Sequence, residues 1–511
     1  MTHDLATSVQ SVLDVDADAF RDRAQADAEV VKSELADGTF DNHQSIVGLE
    51  YEFYAVDDGR WRANREDEED DLMRVPRRLL ELIGFEKELG LHNAEMTTSP
   101  QPLNGEGLRA QESEVRARLR AALDCTSTEG MRLVSDGMWT IPPAGETARQ
   151  YLTDSIEAEG VRIATNMSDA VRYHAMANGP NAPTPFELDA PNVTLSADTV
   201  MPESLITSIQ PHYQVSHAAD LPQYFNYALR VAGPLLALGV NSPFFPPDLY
   251  DDVPADRILA DSWAEHRISV FESVLNSEGA QKVRFPSDLA TIEDAVERVV
   301  EDATVVPMPV EGCGNRFDDD FATLRLKHGT YWRWVRPVFG GESRSSANAR
   351  IEFRPLPAQP TVRDTIAMQA TFAGLMESLP QRRHPVIGQD WTVARENFYG
   401  AARDGFDCDL RWITNDGHET TDREELYEDL FSHAVDGLRS AGCTTEQAER
   451  YVSPLRARVE HERTPAEWKR RRVRQALEGG AALEEAIPAM QRTYVDQQST
   501  TLLDGSFADW L

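Results

Sequence analysis

Cysteine and long apolar runs are both scarce in this sequence. Among 511 residues only four cysteines occur, none with Cys-x-x-Cys spacing: Cys125, Cys313, Cys408 and Cys443. This disfavours a disulfide framework and a cysteine-based zinc site. No stretch approaches the roughly 18 consecutive apolar residues of a membrane span, and residues 1–15 lack a basic segment followed by an apolar one. The sequence therefore predicts a cytoplasmic protein that does not cross a membrane.

Positive charge is also in short supply. The chain has 50 Lys and Arg against 86 Asp and Glu, a formal net charge of −36, and the acids are scattered along it. A distributed acidic surface is typical of proteins from a high-salt cytoplasm, where charge is screened within about 3 Å. Nucleic-acid binding is disfavoured because it needs a concentrated basic face. The one basic run, Lys469 to Arg472, is predicted to be a solvated helix face.

Residue spacing predicts an α+β chain. Some segments repeat apolar residues at helical spacing, and others alternate apolar with polar residues. Helices are predicted at 17–35, 75–83, 106–130, 221–238, 362–379 and over most of 423–491. Strands are predicted at 45–56, at a segment ending near 97–100, and at 206–216, 320–336 and 348–355. The Asn- and Pro-rich stretch 179–200 is predicted to leave the core as an excursion.

The first strand carries two acids at alternate positions. Successive side chains of a strand point to opposite faces, so Glu50 and Glu52 share one face. Leu49, Tyr51 and Phe53 occupy the other face and suit packing against helices. The polar face is interpreted either as part of a site or as the exposed side of an edge strand.

Two later strands repeat this pattern. Glu352 and Arg354 share a face, as do His212 and Gln214. The first pair could equally be a plain ion pair between neighbours. Three strands that each offer oxygen or nitrogen ligands nevertheless favour a site for a hard cation, and carboxylates plus bound phosphates suit magnesium with ATP.

One more acid and several arginines complete the candidate chemistry. Glu95 lies in a strand-like run, where an ordinary surface position is an equal alternative. Arg267, Arg336 and Arg354 offer guanidinium groups that match phosphate and carboxylate oxygens. Each arginine alone is also consistent with a structural ion pair.

Seven motifs occur in a single order along the chain. They are Gly-x-Glu-x-Glu-Phe at 48–53, Glu-x-x-Thr at 95–98, Arg-Tyr at 172–173, His-Tyr-Gln-Val-Ser at 212–216, Leu-Gly-Val-Asn-Ser-Pro-Phe at 238–244, Trp-Val-Arg-Pro at 334–337 followed by Glu-Phe-Arg at 352–354, and Glu-Asn at 396–397 leading to Arg-Asp-Gly at 403–405. Together they resemble the second glutamate-cysteine ligase family, carboxylate-amine ligases that share the glutamine synthetase fold. The resemblance covers about residues 45–410.

The resemblance implies a fold and a domain division. The expected catalytic domain, residues 45–410, has a curved, mainly antiparallel sheet flanked by helices. A helical N-terminal extension is expected at 1–44 and a helical C-terminal region at 411–511. Homo-oligomerisation is left open, and the expected partners are small-molecule substrates only.

The resemblance also implies a reaction. ATP would phosphorylate glutamate to γ-glutamyl phosphate, and cysteine would attack it to give γ-glutamylcysteine, as in glutathione biosynthesis. The metal, Mg²⁺ with Mn²⁺ as an alternative, would be held by Glu50, Glu52, Glu95, His212 and Glu352. Catalysis would rest on Arg354, Arg336 and Glu52, and the substrate pocket would include Arg267, Asn241, Trp334 and Gln214.

Departures from the family pattern keep other functions open. Gln214 replaces the second histidine of a family His-x-His motif, and the N-terminal helix and the 179–200 excursion exceed the common pattern. A binding or regulatory protein without turnover is one alternative, and a metal-dependent hydrolase is another, because clustered carboxylates occur in both. A ligase that uses another amine is a third alternative.

Overall fold

The computed structural model describes residues 2–59, 71–179, 185–277, 279–310 and 314–511. Its strands are β1 (Ile46–Asp57), β2 (Leu72–Met73), β3 (Phe85–Lys87), β4 (Asn93–Thr97), β5 (Gln101–Pro102), β6 (Met131–Val134), β7 (Ser155–Ala158), β8 (Val161–Ala164), β9 (Phe186–Ala190), β10 (Val193–Ala197), β11 (Ile209–Gln214), β12 (Val335–Gly340), β13 (Asn348–Phe353), β14 (Trp412–Ile413) and β15 (Glu419–Thr420).

Helices surround these strands. In chain order they are α1 (Thr2–Leu13), α2 (Ala17–Ala36), α3 (Arg77–Glu81), α4 (Gly105–Ser127), α5 (Ala148–Thr153), α6 (Val171–Asn178), α7 (Leu221–Gly239), α8 (Ala255–Asp261), α9 (His266–Leu275), α10 (Ile292–Glu301), α11 (Ala322–His328), α12 (Val362–Arg382), α13 (Trp391–Asp404), α14 (Arg423–Ser440), α15 (Thr445–Glu460), α16 (Pro465–Glu478) and α17 (Leu483–Thr501). No helix of the described residues combines the length and hydropathy that a bilayer crossing requires.

A nine-stranded antiparallel sheet organises the chain around β1. The main strand order is β12-β13-β11-β1-β4-β3, and β2, β5 and β6 also pair with β1. Helix α12 lies on the apolar face of this sheet, where Phe372 stacks on Phe353 of β13 with ring centroids 4.3 Å apart. Helices α14 and α15 pack on α12 in turn. This antiparallel sheet with helical flanks confirms the predicted α+β class.

Successive side chains of β1 point to opposite faces, and this determines which of them face away from the core. Val47, Leu49, Tyr51 and Phe53 are buried against the helical layer, and the residues between them are half-buried on the opposite face. The apolar face excludes water, which supplies most of the strand's packing energy. The carboxylates of β1 are thereby directed to the other face.

The predicted strand at 320–336 is wrong. Residues Phe317–Phe321 form a 3₁₀ turn and α11 follows, so that only its last two residues lie in β12. The Asp27 carboxylate on α2 accepts hydrogen bonds from the backbone amides of Thr323 (2.7 Å) and Leu324 (3.0 Å). This cap at the start of α11 comes from a residue almost 300 positions away, which a local pattern does not contain.

The excursion at 179–200 is ordered in its described part. Strands β9 and β10 pair as an antiparallel hairpin, and residues 180–184 lie outside the described residues. The predicted boundaries near residues 44 and 410 stay a prediction. Both terminal regions contact the middle of the chain, for example through Asp27 and through the buried pair of Arg458 with Asp364 (2.8 Å).

The C-terminal helices are tied to α12 by buried polar groups. His384 Nε2 donates to Asp429 Oδ2 at 3.1 Å, and His433 Nδ1 contacts Ser378 Oγ at 3.0 Å. Asp429 also accepts from Trp412 Nε1 (2.7 Å). Because these groups hydrogen-bond to one another and to the surrounding chain, we interpret the cluster as a structural tie between α12, α14 and the β14 segment.

The basic run of α16 is only partly solvated. Lys469 is 2% exposed, its ammonium pairs with the buried carboxylate of Asp136, and it donates to Asn241 O at 2.7 Å. Arg471, two residues on, is exposed. The prediction of a solvated face is therefore wrong at Lys469, because the helix turns this position onto the core.

We expect Lys469→Met to lower the free energy of unfolding by about 3 kcal/mol, because it leaves Asp136 buried without its cation. Arg471→Met is the matched control on the same helix and should change stability by less than about 0.5 kcal/mol. Chemical denaturation of both variants at constant salt measures the difference. Equal effects would mean that Lys469 is solvated after all.

Candidate active site

A row of three polar side chains crosses the middle of the sheet. Glu50 on β1, His212 on β11 and Glu352 on β13 bring one ligand atom each to within 4.8 Å of one another. The strand register brings the three together. His212 on β11 is directly opposite Glu352 on β13, and Gln210, two residues before His212 on the same face of β11, is directly opposite Glu50 on β1. His212 Nε2 lies 3.1 Å from Glu50 Oε1. Three residues predicted as metal ligands thus meet at one point.

Two arginines form ion pairs with the carboxylate of Glu352. Arg336 Nε donates to Glu352 Oε1 at 2.9 Å, and Arg354 Nη1 donates to the same oxygen at 3.0 Å. Glu352 is 2% exposed. Burial alone would raise the pKa of this carboxyl, but the charges of Arg336 and Arg354 outweigh it and hold the pKa well below its usual range. Glu352 is therefore a permanent anion at neutral pH.

A cavity of about 210 Å³ opens beside this row, and we call it the inner chamber. Five acids and three arginines are among the residues that line it. The charged and amide residues that line it are Glu50, Glu52, Glu88, Glu95, Glu203, Gln210, Arg172, Arg336 and Arg354.

The carboxylates of the inner chamber are too crowded to be ionised together without added cations. Burial, and then the charge of Glu88, raise the pKa of Glu52 to about 7, although Ser208 donates to it through N (2.6 Å) and Oγ (2.9 Å). Burial, and then the charge of Glu50, raise the pKa of Glu95 well above its usual range. Glu95 stands opposite Glu52 across β1 and β4.

This donor set fits divalent cations. Carboxylate oxygens are the ligands that Mg²⁺ and Mn²⁺ prefer, and a bound cation would relieve the mutual repulsion. Gln210 adds a neutral oxygen: its Nε2 donates to Glu52 (2.9 Å), and its buried Oε1 has no hydrogen-bond partner among the described residues. An unpaired buried acceptor beside carboxylates is what an absent cation or substrate donor would satisfy.

A second, larger cavity of about 660 Å³ lies on the other side of the row, and we call it the outer cavity. Glu50 lines both cavities, so the two cavities adjoin at this residue. His212, Gln214 and Arg350 line the outer cavity from the sheet. Gln214 is thus placed beside His212, on the side away from the inner chamber.

The remaining predicted pocket residues lie behind the inner chamber. Arg267 is buried, donates to the backbone oxygen of Arg354 (2.8 Å) and lies over the Trp334 ring at 5.1 Å. Trp334 Nε1 donates to Glu272 Oε1 (2.7 Å).

Asn241 is farther into the packed layer, with its amide donating to Ala358 O (2.8 Å). Among the described residues that line either cavity, none of Arg267, Trp334 and Asn241 appears. Their direct contact with substrate stays a prediction.

Several lining residues escaped sequence reasoning. Glu88 follows β3 and Glu203 lies in a 3₁₀ turn, and neither position has a pattern that signals a site. Burial, and then the charge of Glu88, raise the pKa of Glu203 to about 8. Gln210 was detectable, because it shares the face of His212 two residues earlier. Arg172 was detectable from its Arg-Tyr motif.

The sequence matches a protein-family model. The model described as glutamate-cysteine ligase family 2 matches residues 46–496. The chain belongs to this family. Membership confirms the resemblance drawn from the seven motifs, and it indicates a carboxylate-amine ligase as the activity class.

One solved structure shows the same fold. A glutamate–cysteine ligase from Francisella tularensis, solved in complex with AMP, is 12% identical with a TM-score of 0.52, and the match covers 91% of each chain. A bifunctional glutathione synthetase from Pasteurella multocida is 13% identical with a TM-score of 0.47, over 92% of this chain and 54% of that one. No curated protein matches the sequence. At these identities the likeness to the first structure shows a common fold.

We expect the metal-free protein to lose thermal stability as pH rises from about 4.5 to above 7. The folded-state pKa of Glu52 is about 7, above its ordinary value near 4.5, so the folded state binds the extra proton and its advantage is lost across that window. The measurement is the melting temperature against pH in EDTA.

Glu52→Gln should flatten this slope, and saturating Mg²⁺ should do the same for the wild type. Glu428→Gln, at an exposed position on α14, is the control and should keep the wild-type slope. A wild-type slope that is unchanged by both Glu52→Gln and Mg²⁺ would contradict the crowding of the carboxylates.

Proposed function

We propose that the protein is an ATP-dependent glutamate-cysteine ligase that forms γ-glutamylcysteine. The observation that carries the proposal is the position of Glu50, which lines two cavities of different size and lies beside His212 and Glu352. One cavity suits a nucleotide and the other a small carboxylate, and a phosphoryl group is transferred between substrates that meet in line. Family membership supports the reaction class.

The inner chamber binds the acyl substrate. Its volume of about 210 Å³ suits a small amino acid. Its lining includes the guanidinium groups of Arg172, Arg336 and Arg354, which can donate hydrogen bonds to carboxylate oxygens. Arg336 and Arg354 are fixed by Glu352, so their charges are in place before the reaction begins. Preorganised cations of this kind stabilise developing charge without reorganisation.

The outer cavity binds ATP with its triphosphate toward Glu50. The residues that would hold Mg²⁺, or Mn²⁺, are Glu50, Glu52, Glu95, His212 and Glu352, with Gln214 assisting. When bound, the cation neutralises phosphate charge. Support comes from the crowded carboxylates, and from the Francisella ligase of the same fold, whose structure was solved with AMP.

The reaction then proceeds in two displacements. A γ-carboxylate oxygen of glutamate attacks the γ-phosphorus and ADP leaves, which gives γ-glutamyl phosphate. The amine of cysteine attacks the acyl carbon, phosphate leaves, and the amine nitrogen loses a proton. The chain's own residues contribute positioning and fixed charge, through Arg336 and Arg354 at the phosphoryl and acyl oxygens.

The identity of the acceptor rests on the family alone. A ligase that uses another amine would have the same carboxylates, and so would a protein that binds nucleotide without turnover. Five half-buried acids line one chamber, which argues against a lost function, because such a cluster is costly without a bound cation.

We expect Glu352→Gln to lower kcat by roughly 10²–10³-fold, because it frees Arg336 and Arg354 and removes an anionic ligand. The assay follows ADP release and product mass with Mg²⁺-ATP, glutamate and one amine at a time, in high salt. Glu428→Gln, exposed on α14, is the matched control and should keep wild-type activity.

Each outcome separates the alternatives. Cysteine-dependent ADP release with a γ-glutamyl product of the correct mass supports the ligase. ADP release with another amine alone keeps the ligase and changes the acceptor. Release of ADP and phosphate without any amine product indicates a hydrolase, and nucleotide binding without release indicates a binding protein.

A further inference from the structure

We propose that the N-terminal helix α2 completes the base-binding end of the outer cavity. This inference rests on the proposed function, since it assumes that the outer cavity holds ATP. The family match begins at residue 46, whereas α2 ends at Ala36, so the helix lies outside the region that the family shares.

The walls of the outer cavity differ in polarity. The sheet contributes polar residues such as Glu50, His212 and Arg350 together with apolar residues of β1, and further charged or polar residues come from the turn before α11, from α11 and from the β12–β13 turn: Arg316, Asp318, Arg325, His328 and Glu342. Helices α2 and α10 contribute only apolar residues, Val31, Val296 and Val299, and the other apolar members of this part of the lining are Phe321, Leu324, Val338 and Phe339. A triphosphate directed at Glu50 leaves the flat, weakly polar base toward the apolar wall formed by α2 and α10.

Asp27 of α2 positions one of these walls. Its Oδ2 accepts from the backbone amides of Thr323 (2.7 Å) and Leu324 (3.0 Å), which start α11. Leu324 and Arg325 of that helix both line the outer cavity. Without the acceptor, the first turn of α11 loses two hydrogen bonds and the side chain of Leu324 loses its fixed place.

Two further contacts fasten α2 to the other walls. The Lys32 ammonium pairs with Glu297 on α10, the helix that carries Val296 and Val299. Glu34 Oε2 accepts from Arg344 Nη1 (2.6 Å) in the turn between β12 and β13. The helix therefore contacts three separate segments of the cavity wall, through Asp27, Lys32 and Glu34.

These contacts make α2 a part of the cavity wall. Val31 is fully buried and lines the cavity, and Ala28 and Ala24 continue the same buried stripe. A change in α2 should weaken nucleotide binding while leaving the inner chamber intact. Asp27 is thus a positioning residue, which acts through α11 and does not itself touch the nucleotide.

The test compares three variants of the full chain, Asp27→Ala, Asp27→Asn and Asp22→Ala. Asp22 is exposed on the same helix and serves as the control. Kd values for Mg²⁺-ATP, AMP and inorganic tripolyphosphate are measured by calorimetry. KM values for ATP and glutamate are measured alongside, and thermal melting shows that each variant is folded.

Asp27→Ala should raise the Kd of ATP and of AMP about tenfold. The Kd of tripolyphosphate and the KM of glutamate should change less than about twofold, because the phosphate end and the inner chamber stay in place. Asp27→Asn should recover most of the affinity, since its amide oxygen still accepts. Asp22→Ala should match the wild type.

Two results would overturn the inference while leaving the proposed function standing. One is an unchanged ATP affinity in Asp27→Ala. The other is an equal loss for ATP and tripolyphosphate, which would assign the effect to the phosphate end. Failure of the wild type to bind any nucleotide would instead remove the proposed function, and this inference with it.

Discussion

The alternation of side chains along β1, with strands bonded to both of its edges, underlies the rest of the structure. Its apolar positions pack against the helical layer, so Glu50 and Glu52 must face the opposite side. Strands β11 and β4 pair with β1 in registers that place Gln210 and Glu95 beside those acids. A slip of one residue would turn both carboxylates into the core.

Charge compensation is the second constraint, and it acts unevenly across the site. Glu352 is fully compensated by Arg336 and Arg354 and stays anionic. Glu52 and Glu95 are half-buried among other acids, and desolvation together with the neighbouring negative charges raises their pKa values. The charge of Glu352 is therefore balanced by the chain itself, whereas the charges of Glu52 and Glu95 are not.

The two cavities follow from where these groups lie in the sheet. Glu50 belongs to the lining of both, so the two cavities adjoin at this residue. Helices close the cavities from the polar face of the sheet. Some of that closure comes from near the start of the chain, where Asp27 and Val31 of α2 contact elements that follow in sequence by more than 250 residues.

The sequence by itself determined the strands that carry Glu50, His212 and Glu352, because period-two alternation and family motifs are local signals. It also indicated the α+β class and the ligase family. Only the tertiary structure decided which side chains meet. Glu88 and Glu203 enter the inner chamber from turns without pattern, and within the predicted strand at 320–336 the residues Ala322–His328 form a helix whose first turn is capped by distant Asp27. Burial of Lys469 was decided in the same way, since its partner Asp136 lies more than 300 residues earlier and long-range contacts leave no periodic trace in sequence.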